Sequence, residues 1–202
     1  MKEKIFIEKV ADLFLENGAK TLTMDDIAKE FGMSKKTLYK EYETKEALLE
    51  EVLKHTANRV LEEIKVLGDQ FDNAIERMLC RDTAIVKAST SNESLLLKQL
   101  IKYYPHIFNK HILNFSEKFS VILVHNIEKG REQGLYRTNF DPEFYGKLFF
   151  QLSMSYYSPY LDITNITKFQ YLARVLDFYL NAITTPKGKA YMKTLDLDSK
   201  LG

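Results

Sequence analysis

Two helix starts and a helix stop crowd the short stretch from Thr21 to Tyr42, and they leave the backbone little choice there. Thr23 suits an N-cap, and Asp26 three residues on completes a Thr-x-x-Asp box ahead of Ile27 and Ala28. Phe31 closes that first helix, and Gly32 supplies a residue able to take a positive φ where it stops. Ser34 then caps a second helix with Thr37 at its third position. At about 100° per residue, Leu38 and Tyr42 turn inward while Lys36, Thr37 and Lys40 turn outward, with Lys35 and Tyr39 on the flank. The spacing predicts a helix-turn-helix. Its outer face of ammonium groups, a hydroxyl and a phenol has the chemistry to enter a major groove.

The run Met33-Ser-Lys-Lys-Thr-Leu-Tyr-Lys-Glu-Tyr-Glu-Thr-Lys-Glu-Ala-Leu-Leu resembles the TetR family of transcriptional repressors. The residues Gly18, Thr21, Thr23, Ile27, Ala28, Phe31 and Gly32 before it fit the same pattern. Together they cover roughly the first quarter of the chain. Two positions depart from it: Lys36 stands where a small residue is usual, and Glu41 where an aromatic or histidine is. The first bears on base preference, and the second puts an acid near the path of the DNA phosphates. The resemblance implies that Thr37, Tyr39 and Lys45 hold the DNA backbone. It also implies an effector pocket among the middle helices and a four-helix bundle made when the last two long helices pair across a two-fold axis.

Charge alone does not announce a nucleic-acid partner. The chain of 202 residues carries a net +1, and its first 54 residues hold ten Lys/Arg against twelve Asp/Glu, or −2. The signs are segregated, however. Gly32 to Lys40 has three lysines and no acid, while Asp12, Glu16, Glu50 and Glu51 lie on flanking segments. With a Debye length of about 8 Å at physiological salt, local sign outweighs the sum. An apolar content of 45% describes a chain that builds a core. Val121-Ile-Leu-Val is among its longest apolar runs, far short of the ~20 residues of a membrane span. The N-terminus mixes charges with apolar residues and lacks a secretory core, and Cys80 stands alone, so no intrachain disulfide or thiolate cluster forms. A cytoplasmic protein is expected.

The helical period runs through the rest. Phe6, Val10, Leu13 and Phe14 mark a first helix over about 3–17, stopped by Gly18. Thr44 caps a fourth helix, with Glu46 in its first turn, that continues through Leu48, Leu49, Val52, Val60, Leu61 and Ile64 to a break at Gly68-Asp69. Phe71, Ile75, Met78, Leu79 and Ile85 start another; Ser89–Ser94 is a loop or helix entry. Leu95–Ile101 forms a short helix ended before Pro105. The longest apolar stripe, Phe108, Ile112, Phe115, Phe119 and Ile122 to Asn126, stops at Gly130 to Gly134. Asp141-Pro142 opens a helix carrying Tyr145, Phe149, Leu152 and Tyr156 to Ser158-Pro159. Thr164 or Asn165 caps a last long helix that Pro186 ends; the tail after residue 188 is assigned no element. The expected fold is all-α: a helix-turn-helix DNA-binding domain over 1–50, then a larger effector-binding and dimerisation domain over 51–202.

The site residues follow. Lys35 and Lys36 are expected in the major groove, with Lys36 at a base edge, where lysine favours guanine O6 and N7. Thr23, Thr37, Tyr39, Lys40 and Lys45 are expected on phosphates. A mostly apolar effector pocket with a few polar groups is assigned to Tyr103, Tyr104, Phe108, His111, Phe115, Phe119, Asn126, Phe149 and Tyr156, for a flat, hydrophobic, neutral or weakly anionic ligand. One short reading helix makes too few contacts for specific binding, so two copies on a palindromic duplex are expected. Gly146, Phe149, Leu152, Phe169, Leu172, Leu176 and Leu180 are assigned to that homodimer interface. No phosphate loop, nucleophile elbow or paired histidine motif occurs, so no enzyme, cofactor or metal is expected. Two other readings stand beside the effector-released repressor: a helix-turn-helix regulator without a small-molecule effector, and an interaction protein that has lost DNA binding.

Overall fold

The computed structural model describes residues 2–80, 93–158, 160, 161 and 165–195. Pro159, Thr164, Ile85 and the Ser89–Asn92 part of the polar cluster lie outside them. The described chain is all-α: α1 (Lys2–Asn17), α2 (Met24–Glu30), α3 (Lys35–Glu41), α4 (Lys45–Asp69), α5 (helical over its described residues 74–80), α6 (Glu93–Tyr103), α7 (Pro105–Glu132), α8 (Pro142–Met154), α9 (Lys168–Ile183) and α10 (Pro186–Thr194). A 3-10 turn, Ser155–Tyr157, follows α8.

The local signals close as hydrogen bonds. Asp26 N–H donates to Thr23 Oγ1 and Thr23 N–H to the Asp26 carboxylate, at 3.2 and 3.0 Å. Thr37 N–H donates to Ser34 Oγ at 3.1 Å, and Ala47 N–H to Thr44 Oγ1 at 3.1 Å. Asp141 caps α8 with Pro142 at its first position. Gly18 and Gly32 take φ of +79° and +59° where α1 and α2 stop.

Two expectations need correction. The last long helix is capped by Thr167, not by Thr164 or Asn165: Thr167 and Gln170 exchange both bonds of a capping box. Starting the helix at Asn165 would have left that reciprocal pair unmade. Pro186 does end α9's run, but it also begins α10, because Thr185 accepts from Gly188 N–H at 3.1 Å and a proline costs nothing at a helix's first position.

The described residues form two compact units, and the division falls within α4 and α7. The first holds the chain to Val60, with α6 and α7 as far as Phe115. Its core joins Val10 and Phe14 of α1, Ile27 of α2, Leu38 of α3, Leu48, Leu49 and Val52 of α4, Leu100 of α6 and Ile107 of α7. The second holds α4 from Leu61, α5, α7 from Ser116, and α8 to α10. There Phe149 of α8 lies 4.6 Å, ring to ring, from Tyr179 of α9 and 6.4 Å from Phe119 of α7. Gly130 lets the buried Tyr136 ring lie against α7: a Cβ at residue 130 would come within 2.0 Å of Tyr136 Cδ2. The Tyr136 hydroxyl then donates to the Ala74 carbonyl at 3.0 Å.

Candidate nucleic-acid interface

α3 buries one side chain, Leu38, and leaves the rest outside. Lys35, Lys36, Thr37, Tyr39 and Lys40 are all exposed, as the 3.6-residue period requires once Leu38 is fixed in the core. The turn before it is set by Met33 N–H donating to Ala28 O at 2.9 Å and by the positive φ of Gly32. Behind α3, Tyr42 is half-buried and stacks on Phe6 of α1 at 6.1 Å, while Phe6 meets Phe31 edge-on at 4.8 Å. The reading helix is therefore held on an aromatic base, with its polar face outward.

The expected DNA residues differ in how free they are. Lys36 and Lys40 stand on the exposed face of α3. Lys35 instead pairs with Asp25 on α2, and that hydrogen bond raises its ammonium above the ordinary lysine range. Thr37 Oγ1 sits 2.8 Å from Ser34 Oγ, so its hydroxyl is shared with the cap. Thr23 Oγ1 donates to Asp26 at 2.5 Å. That bond, with the Thr23 backbone bond, holds the Asp26 carboxyl below its usual range, and the carboxylate occupies the start of α2 where a phosphate was expected. Lys45, at the start of α4, donates to the Lys20 carbonyl at 3.3 Å, and partial burial lowers its ammonium from the ordinary range.

The residues expected to line an effector pocket divide between the units. Tyr103, Tyr104, Phe108, His111 and Phe115 belong to the first, and Phe119, Asn126, Phe149 and Tyr156 to the second. In the first, Tyr104 donates to the Ala19 carbonyl at 3.3 Å and Phe108 packs against the core. His111 Nε2 lies 3.7 Å from Glu50, while Tyr103 is exposed on α6. In the second, Phe119 stacks on Phe149 and meets Phe150 at a tilt, and Tyr156 contacts Tyr157 and Tyr171. Asn126 is buried on α7; its Nδ2 donates to Ala74 O at 3.0 Å, but its Oδ1 has no donor among the described residues. Ser120 Oγ, also buried on α7, shares that condition. Ser120 is absent from the expected pocket set because it lies about 100° round α7 from Phe119, off the expected stripe and facing Gly146 of α8. An open groove beside α10, lined by Asn73, Gln133 and Tyr191, contains none of the expected pocket residues.

Of the residues assigned to a dimer interface, Gly146, Phe149, Leu172, Leu176 and Leu180 are buried within the single chain, and Leu152 and Phe169 are half-buried. A Cβ on Gly146 would stand 3.1 Å from Ser120 Oγ, so this glycine admits α7 of its own chain. The large apolar side chains that α8 and α9 do expose are Phe144 and Phe178, each 62% accessible. Phe178 was legible: it lies two residues beyond Leu176 and so falls off the Leu172-Leu176-Leu180 stripe. Among the described residues, no three His, Cys, Asp or Glu side chains gather as metal ligands.

Residues 6–52, which contain α2, α3 and the turn between them, match the family model of the bacterial regulatory proteins of the tetR family. The chain is 26% identical over 157 residues to the uncharacterized HTH-type transcriptional regulator YdeS of Bacillus subtilis (strain 168), spanning 74% of this chain and 77% of that protein. Its fold is similar to that of a transcriptional regulator from Cytophaga hutchinsonii, with a TM-score of 0.75 at 20% identity over 91% of this chain and 99% of the other. It is also similar in fold to SmeT, the repressor of the Stenotrophomonas maltophilia multidrug efflux pump SmeDEF. There the TM-score is 0.70 at 13% identity, over 92% of this chain and 91% of SmeT.

Proposed function

We propose that this chain, which belongs to the TetR family of bacterial regulatory proteins through the helix-turn-helix domain at residues 6–52, is a repressor that grips a palindromic operator as a homodimer and lets go when a small hydrophobic effector binds. That it is a helix-turn-helix transcriptional regulator follows from the family; operator, dimer and effector are our reading. The observation that carries it is the outer face of α3, where Lys36, Tyr39 and Lys40 stand exposed around the single buried Leu38. Lys36 reads a guanine edge, while Lys40, Tyr39, Thr37 and Lys45 hold phosphates. Lys35 reaches the groove by exchanging Asp25 for DNA. The DNA-binding module is residues 1–50, and the remainder senses and pairs.

The effector part rests on chemistry in the second unit. Asn126 Oδ1 and Ser120 Oγ are buried polar atoms on two faces of α7 among aromatic and aliphatic side chains, and buried polar atoms are seldom left without a hydrogen bond. A mostly apolar ligand bearing one or two donors would supply them. Any ligand that prefers the DNA-released form loosens the operator by the factor of its own preference, about 5- to 150-fold for a coupling of ~1–3 kcal/mol.

The test is a binding titration on duplex DNA from upstream of the protein's own coding region, beside random duplex. Lys36→Ala should narrow the gap between the two, and Lys40→Ala should weaken both equally. Equal loss on both duplexes for Lys36→Ala would remove the base-reading role, and failure of the unaltered chain to bind any duplex would leave the interaction-protein reading. For the dimer, Leu176→Glu would test folding instead, because Leu176 is fully buried in the single chain. Phe144→Glu with Phe178→Glu is the appropriate pair: sedimentation should show monomers, and persistent dimers would move the interface off α8 and α9.

A further inference from the structure

We infer that the bound duplex is also gripped outside the helix-turn-helix, by a basic and aromatic patch where the end of α6 meets the α1–α2 turn: Lys20, Lys98, Lys102 and Tyr103, adjoining Lys45. This rests on the DNA-binding reading above and extends its footprint to flanking phosphates. The segments that build the patch, residues 18–24 and 94–104, contain three lysines and no acid. Lys20 Nζ lies 4.5 Å and Lys102 Nζ 5.2 Å from the centre of the one Tyr103 ring. Lys98 stands exposed one helical turn before Lys102.

Such a cluster is electrostatically unfinished. Elsewhere among the described residues Lys35, Lys54, Lys110 and Lys129 each have a carboxylate within ion-pair distance. Lys20 and Lys102 have the face of a phenol ring, which attracts a cation only weakly at an exposed site, and they repel each other. Both favour negative charge nearby: the hydrogen bond from Lys102, then the charges of Lys102 and Lys20, hold the Tyr103 hydroxyl below the usual tyrosine range. A phosphate beside the ring would complete the balance.

The patch is also built to hold its shape. Lys20 N–H donates to Gln99 Oε1 at 2.9 Å, and Tyr104, just beyond α6, donates to Ala19 O at 3.3 Å. Gly18, at a φ of +79°, leaves room for Gln99, whose Nε2 would lie 2.4 Å from any Cβ there. α6 is thus pinned to the turn by contacts about eighty residues apart in the chain. The patch adjoins the start of α4, since Lys45 Nζ donates to the Lys20 carbonyl at 3.3 Å. Duplex phosphates run past Lys45 in the proposed complex, and although Glu46 and Asp26 also lie near Lys45, the Lys20 and Lys102 ammonium groups beside that backbone contact suit the next phosphates along the strand. An acidic protein partner would have no reason to sit against the DNA-facing end of α4.

The experiment is a fluorescence-anisotropy titration of the full chain on a long duplex from upstream of its own coding region, repeated between about 50 and 200 mM salt. Each lysine withdrawn from a phosphate takes about 0.9 off the slope of log affinity against log salt, so the Lys20→Ala/Lys102→Ala pair should lower it by about 2 per chain. A matched pair on α10, Lys189→Ala/Lys193→Ala, should leave it unchanged, and trimming the duplex flanks should erase the difference between wild type and the patch variant. An unchanged slope for the patch variant, while Lys40→Ala loses about 1, overturns the patch and keeps the DNA-binding reading. No salt-dependent binding by the unaltered chain overturns that reading, and the patch with it. Thermal melts identify a loss caused by unfolding: a lower midpoint for the patch variant together with an unchanged slope assigns these lysines to α6 stability and overturns the inference.

Discussion

α3 and α9 are both amphipathic helices of one chain, yet they use their residues in opposite ways. α3 has seven residues and buries Leu38; α9 has sixteen and buries Leu172, Ala173, Val175, Leu176, Tyr179, Leu180 and Ile183. α9 is thus stabilised by its apolar face, as most helices in proteins are. α3 is too short to be stable alone and has little face to bury, so caps, a turn and the Phe6–Tyr42 stack hold it in place. A helix held from its ends keeps its surface for a partner. A helix held by its face has already given its surface to its own chain.

The contrast can be broken in order of expected size. Leu176→Ala should cost about 2–5 kcal/mol, the range for a buried leucine truncated in a core. It would read as a large drop in thermal midpoint, and a drop within error would mean α9's face is not what stabilises it. Gly130→Ala comes next: its Cβ must displace the buried Tyr136 ring, an overpacking worth about 1–3 kcal/mol in a denaturant titration. If the variant is as stable as the parent, the ring is free to move and is not held tightly against α7. Ser34→Ala removes the cap of α3 and should cost about 1 kcal/mol of stability. Its effect on DNA affinity should exceed its effect on the melt, since the capped helix is the reader; the reverse ranking would contradict an end-held helix. Smallest in stability is Lys40→Ala, expected to leave the thermal midpoint in place while flattening the salt slope of DNA binding by about 1. A midpoint shift there would show that Lys40 serves the fold.

Legibility in the sequence follows the same divide. The α2 and α3 caps are each closed by residues three apart, so Thr23, Asp26, Ser34 and Thr37 can be read directly. The Thr167–Gln170 box and the Thr185-Pro186 start of α10 carry the same kind of signal. It is masked because nearby Thr164 and Asn165 compete for the cap, and because a proline that starts one helix also stops the one before it. The outward set on α3 can be read from period alone. The free or paired state of its members cannot: Lys35 depends on Asp25 of another helix, and Lys45, at the start of α4, on the carbonyl of Lys20.

The sequence by itself determined most elements of this protein, though not the start of α9 or α10, because caps, stops and a 3.6-residue period are settled by bonds closing within four residues. It determined the outer face of α3 as well, since one buried leucine orients a short helix. Tertiary structure decided what those faces meet. Gln99 reaches the backbone of Lys20, Tyr136 fills the space Gly130 leaves, and Leu176 buries its apolar surface in its own chain before any second copy can use it. Burial depends on which distant segments arrive at a face. A hydrophobic stripe records only that something must cover it.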